Sequence, residues 1–157
     1  MGLATFIGGI HPYEGKELSE DKPIKYLEPL QGEIMVYPLS QHIGAPAKPL
    51  VAKGDHVLKG QIIAEAGGFI SANVLSSVSG TVKGIESKLV ANGAMVQSIL
   101  VENDGEEEAI EGFGTDRDAT KLSKEEIRKI VKDAGIVGLG GAGFPTNVKL
   151  SPKNEDA

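Results

Sequence analysis

The chain contains no cysteine. That excludes disulfides, thiolate metal sites and iron–sulfur ligation within these residues. Aromatic residues make up only 4% of the 157 residues, whereas glycine occurs 21 times. Few rings and many glycines point to short strands and tight turns rather than a large helical bundle. No run of about 18 apolar residues is present, so no segment reads as a membrane-spanning helix. The formal net charge is −6, the wrong sign for the basic footprint of a nucleic-acid binder. The first ten residues, Met1–Ile10, lack the basic start and long apolar stretch of a secretory signal. The expectation is therefore a cytoplasmic location.

Enough apolar sequence is present for a core, 40% of the chain. The length suits one domain, or a small domain plus part of another. Three histidines, His11, His42 and His56, show no metal-site spacing and are expected to be structural or surface residues. Residues 1–29 are turn-rich and polar, with breakers at Gly8-Gly9-Ile10-His11-Pro12 and Asp21-Lys22-Pro23. They read as an extended arm lying over a neighbouring domain.

Residues 33–102 read as all-β. Strands are expected at Ile34–Tyr37, Leu50–Ala52, Val57–Leu58, Gln61–Ala66, from Phe69, at Ser77–Val82 and at Met95–Val101. Closely spaced glycine turns between short strands indicate a small barrel or sandwich. Residues 103–120 are acidic and glycine-containing, the composition of a solvated linker. Residues 123–134 form the clearest helix. Ser123 and Glu126 fit a capping box, Leu122 and Ile127 a hydrophobic staple, and Ile127, Ile130 and Val131 share a face. Gly135 can adopt the left-handed conformation that ends a helix.

The sharpest local motif is Gly138-Leu139-Gly140-Gly141-Ala142-Gly143-Phe144-Pro145. Glycines at 138, 140 and 143 allow backbone N–H groups to approach a phosphate closely. Ile136-Val137 is too short for a confident strand and Phe144-Pro145 interrupts any following helix, so this is not a Rossmann dinucleotide fingerprint. Lys149 lies close enough along the chain to reach the same anion. An anion loop and an ordinary glycine-rich turn with Phe144 packed in a core both remain open on spacing alone.

Gly54-Asp55-x-Val57-x-x-Gly60-Gln61-x-Ile63 is similar to the first half of biotinyl and lipoyl carrier domains, and Ser79-Gly80-Thr81-Val82 to their return strand. Val57, Ile62 or Ile63, and Val82 would supply the core. A carrier needs a lysine at the hairpin tip, yet the tip reads Ala66-Gly67-Gly68-Phe69-Ile70-Ser71-Ala72. Lys59 and Lys83 lie too far along the flanking segments. A non-carrier scaffold of the same fold is expected.

Five segments occur in one order: Gly8–Pro12, Pro38–Pro49, Gly54–Gln61, Ser76–Val82 and Gly135–Thr146. In that order they resemble the C subunit of Rnf-type ion-translocating ferredoxin:NAD+ oxidoreductases. The A subunit of the Na+-translocating quinone reductase shares the domain order, but Pro38–Pro49 and the glycine loop favour the first family. The resemblance implies a mainly β chain. A barrel-sandwich hybrid domain at 30–102 follows the 1–29 arm. The 103–120 linker then leads into 121–157, the start of an α/β flavin-binding domain similar to the flavin subunit of respiratory complex I.

By the same resemblance, Gly138, Gly140, Gly141, Ala142 and Gly143 would contact FMN, and Lys149 its phosphate. The flavin subunits often carry an arginine where this chain has Leu139, which leaves this loop less positive. Two 4Fe–4S clusters would lie in sequence beyond this chain. The whole subunit would sit peripherally on the cytoplasmic side of the membrane, bound to other subunits, and pass electrons between ferredoxin and NAD(H) while those subunits move ions. A second possibility is a non-enzymatic docking module built on the same β fold.

Overall fold

The computed structural model describes Tyr13 and residues 15–152. The reading of the first residues of the arm and of His11 lies outside the described residues. Seven strands follow one another: β1 (Ile34–Pro38), β2 (Lys48–Pro49), β3 (His56–Val57), β4 (Ile62–Glu65), β5 (Val74–Leu75), β6 (Gly80–Leu89) and β7 (Met95–Asn103). Two helices come last, α1 (Lys124–Asp133) and α2 (Thr146–Lys149). The strands form two antiparallel sheets, one ordered β1-β7-β6-β3 and the other β2-β4-β5.

The inner faces of the two sheets meet in one apolar cluster. Val57, Ile63, Val74, Val78, Val82, Ile99 and Val101 are buried there with Tyr37, Leu39, Ala47 and Ala64. The expected core positions are Val57, Ile62 or Ile63, and Val82; Val57, Ile63 and Val82 are essentially solvent-free. The pairing of β4 with β5 shifts register between Ile62 and Ala64. Of the two adjacent isoleucines, Ile63 is the one that goes fully inward. In β1, Tyr37 is buried and Met35 packs on the core, while Ile34 and Val36 face out, the period-two pattern of a sheet with one covered face. Pro49 can sit in β2 because β2 is an edge strand and its missing N–H breaks no ladder.

Three strand expectations need correction. The segment Phe69–Ala72 is not strand, because its polar groups are committed elsewhere. The Ser71 hydroxyl accepts from the Gly67 N–H and donates to the Ala45 carbonyl, and the Ala72 N–H goes to His42. Such side-chain bonds offer the backbone an alternative to a ladder. The return strand begins only at Val74. In the other direction, β6 continues past Val82 to Leu89 and pairs with β7 across a bulge between Val82 and Gly84. The turn of this long hairpin is closed by Gly93 N–H to Val90 O and by the Asn92 side chain accepting from the Ala94 N–H. The strand near residue 50 lies at Lys48–Pro49 rather than Leu50–Ala52.

The acidic segment is exposed but tied to the barrel. Lys59 N–H donates to Glu108 O and Ile110 N–H to Lys59 O, while Lys59 Nζ pairs with Glu107 at 2.9 Å. Asp104 joins three elements. Its carboxylate accepts from the Ser79 hydroxyl at 2.6 Å and the Glu106 N–H at 2.9 Å, and it pairs with His56 Nε2 at 2.9 Å. The Ser79 bond first, then Glu106 and His56, hold this carboxyl below its ordinary value against the opposing effect of desolvation.

The α1 helix starts as its sequence dictates. Ser123 Oγ accepts from the Glu126 N–H at 3.2 Å, and the Glu126 carboxylate accepts from the Ser123 N–H at 2.8 Å. Gly135, directly after the Ala134 cap, has φ +62°. Among the described residues no helix is long and apolar enough to cross a membrane.

Candidate functional site: a glycine loop mounted on the barrel

The glycine loop is a closed excursion between α1 and α2. Val137 and Pro145 face each other as an isolated antiparallel bridge. The bonds flank that pair: Gly138 N–H to Phe144 O at 3.0 Å and Thr146 N–H to Ile136 O at 2.9 Å. Pro145 thus occupies the position at which an absent N–H costs nothing. Inside the excursion, the N–H groups of Leu139, Gly140, Gly141 and Ala142 donate to no acceptor among the described residues.

The predicted site residues separate into two sets. Gly140, Gly141 and Ala142 are exposed and Gly138 is half-buried. A Cβ added at Gly140 would meet nothing within 4 Å. One added at Gly138 would come no closer than 3.7 Å to Phe144 and would lie 4.0 Å from Lys149 Nζ. The short α2 therefore returns Lys149 to the Gly138 end of the loop, where its ammonium sits 5.9 Å from the centroid of the Phe144 ring. Leu139 projects fully into solvent. Gly143 differs. It is buried, its N–H goes to Gly140 O, and a Cβ there would lie 2.7 Å from Gln41 O. Gly143 is turned toward the barrel.

The remaining donors and acceptors of this region come from residues that carry no site signal in the sequence. Ile43 N–H donates to Ala142 O at 2.9 Å. Asn73, at the end of the β4–β5 connection, accepts from the Ala66 N–H at 3.0 Å and points its amide nitrogen at the carbonyls of Lys132 and Asp133, each at 3.4 Å. Those are carbonyls of the last turn of α1, where a helix runs short of internal donors, although Lys132 O also accepts from the Gly135 N–H. The hairpin tip that presents the lysine in carrier domains is thus an anchor for α1 here. Lys83, one of the flanking lysines, is paired with Glu102. Among the described residues no cluster of His, Asp or Glu could hold a metal ion.

Fold and tip together define a barrel-sandwich hybrid whose tip, residues 66–72, carries no lysine. Residues 4–106 match the family described as the RnfC barrel sandwich hybrid domain, and the chain belongs to that family. Over 150 residues it is 44% identical to the C subunit of the proton-translocating ferredoxin:NAD(+) oxidoreductase complex of Clostridium ljungdahlii, covering 96% of this chain and 32% of that protein. It is also 44% identical to the C subunit of the Na(+)-translocating ferredoxin:NAD(+) oxidoreductase complex of Acetobacterium woodii, covering 94% of this chain and 33% of that protein. Identity to the C subunit of the ion-translocating oxidoreductase complex of Haemophilus influenzae is 38%, over 94% of this chain and 23% of that protein. The chain spans about a third or less of the length of these curated relatives.

Proposed function

We propose that these residues are the amino-terminal part of a peripheral, cytoplasmic-side subunit of a membrane electron-transport complex working between ferredoxin and NAD(H). In this reading the glycine loop is the first piece of its FMN site, at the start of an α/β flavin domain. One observation carries it: four consecutive N–H groups, Leu139 to Ala142, lack an acceptor among the described residues, and the Lys149 ammonium lies at the Gly138 end of the same loop. Loop amides and one cation suit a phosphoryl group. The open space over Gly140 and Gly141 lets an anion approach the backbone. Lys149 would supply the charge and the loop the directional donors; Gly143 would fix the loop from behind.

When bound, FMN supplies the exchange between two-electron hydride chemistry and one-electron carriers. The 4Fe–4S clusters need cysteines and so belong to residues outside this chain. Other subunits would couple the electron flow to ion movement. The expected result of titrating FMN onto this chain is weak or no binding. Binding should appear when the downstream sequence of the same gene is included, and Lys149→Ala should weaken it about tenfold, the loss of one charge-assisted bond. An extended, folded protein with no affinity for FMN overturns the proposal.

A docking role is favoured by a separate observation. Ile24, Tyr26 and Leu27 lie in the extended arm with exposures of 96%, 96% and 94%. Large apolar side chains this exposed, close together on one extended segment, suit a partner surface. In the full gene-encoded protein, the triple change Ile24→Ser, Tyr26→Ser and Leu27→Ser should release it from the membrane fraction without lowering its melting temperature. Unchanged membrane association rules out this role for the arm.

A further inference from the structure

We propose that the segment Gln41–His42–Ile43 is the mount of the glycine loop and that His42 is its positioning residue. For the ligand, the inference rests on the FMN reading above; for the loop itself it does not. His42 is buried, and both ring nitrogens are bonded. The Ala72 N–H donates to Nε2 at 3.0 Å, so Nε2 offers a lone pair. The neutral ring then carries its proton on Nδ1, which donates to the Ile43 carbonyl at 2.9 Å. One imidazole thereby ties the hairpin tip to the backbone that touches the loop.

The two residues flanking His42 make that touch. The Ile43 N–H holds the Ala142 carbonyl, and the Gln41 carbonyl sits where any side chain at position 143 would have to go. The strand-free run after Ile43 is pressed on the tip with equal closeness. A Cβ at Gly44 would lie 2.1 Å from Ile70 O, and one at Gly67 would lie 2.0 Å from Pro46 O. The Ala45 N–H donates to Ile70 O, and the Ala45 carbonyl accepts from Ser71. Residues 41–47 are therefore a wedge between the tip and the loop.

Adjacent tip residues divide the task. Ala72 holds His42, and Asn73 holds the end of α1. The C-terminal end of α1 is thus bonded to the tip directly, and the loop is bonded to it through residues 42 and 43. A loop set in place before its ligand arrives does not lose conformational freedom on binding, which favours affinity.

The test compares three variants of the full gene-encoded protein. His42→Ala removes the acceptor for the Ala72 N–H; His42→Gln restores one; Ser79→Ala removes a buried hydroxyl that bonds Asp104 and the Glu108 N–H and does not touch the loop. Two measurements are made: hydrogen–deuterium exchange of the segments containing Ile43, Gly138 and Thr146, and the FMN dissociation constant. His42→Ala should speed exchange in those segments about tenfold more than in the β6–β7 strands and weaken FMN about tenfold, with partial recovery in His42→Gln. Ser79→Ala should lower the melting temperature and leave the ratio unchanged. Equal loop exchange in His42→Ala and Ser79→Ala overturns the mount. If the wild-type protein binds no FMN, the flavin reading falls, and the exchange ratio alone still decides the mount.

Discussion

Gly80→Ala is expected to abolish cooperative folding of the barrel, or to lower its unfolding midpoint far more than the same change at Gly84. An ideal Cβ at Gly80 would lie 2.0 Å from Glu102 O, 2.9 Å from Glu102 C and 3.3 Å from Asn103 Cα. All three are backbone atoms, so no rotamer change relieves the contact. Neither strand can give way. β7 is held on its far side by β1, with Ile34 opposite Glu102, and β6 is held by β3, with Val57 opposite Gly80. The cost should reach about 3 kcal/mol or more, the upper end for overpacking, against a total stability of about 5–15 kcal/mol for a domain. Gly84→Ala is the control. Its φ of +154° nearly equals the +158° of Gly80, but nothing lies within 4 Å of the added atom. It should cost about 1 kcal/mol. Chemical denaturation followed by circular dichroism reads both. Equal losses would mean that backbone conformation, not the approach of β7, makes Gly80 a glycine.

The parts of the fold that sequence reveals are those with local causes. The Ser123/Glu126 capping box and the left-handed Gly135 need only neighbours along the chain, and both are present. Val57, Ile63 and Val82 are legible as core because turn glycines bracket them, and they are buried. The outer half of β6 is illegible for the opposite reason. Lys83, Glu86, Ser87 and Lys88 lie outside the expected strands, and the cause of their strand conformation is the partner: Glu86 faces Ser98 and Lys88 faces Val96 across the hairpin. Similarly, Phe69–Ala72 resembles strand by side-chain type, but the bonds that bend it come from Ala45 and His42, distant in sequence.

The candidate site follows the same division. The glycine spacing and the nearness of Lys149 are local, so Gly138, Gly140, Gly143 and Lys149 stand out in the chain alone, and the family resemblance adds Gly141 and Ala142. Their packing does not. Gln41, Ile43 and Asn73 carry no chemistry that announces a site; Gln41 and Ile43 meet the loop, and Asn73 the end of α1, only because the barrel brings the tip and the Pro38–Pro49 run side by side. His42 reads as structural, and its two ring bonds show what it joins. The length of the Pro38–Pro49 motif has a physical reason, since His42, Gly44 and Ala45 bond the tip or leave room for it while Gln41 and Ile43 meet the glycine loop.

Gly135→Ala should detach α1 and the glycine loop from the barrel while leaving the barrel folded. A helix-ending glycine in the left-handed region would by itself cost about 1–2 kcal/mol when replaced by alanine. The structure adds a second cost: the Cβ would lie 2.3 Å from Asn73 O and 3.1 Å from Asn73 C. Asn73 is the residue whose amide reaches the carbonyls of Lys132 and Asp133, so the clash falls on the anchor itself. Two variants separate the causes. Asparagine tolerates φ +62° far better than alanine but brings the same Cβ. If only backbone conformation matters, Gly135→Asn should be nearly silent. If the approach to Asn73 matters, both variants should make the segment 124–150 susceptible to limited proteolysis at protease concentrations that leave residues 33–103 intact. The second result is expected, because a contact of 2.3 Å with a backbone oxygen can be relieved only by moving α1. Loss of barrel protection in either variant would instead show that the helical unit and the barrel fold as one.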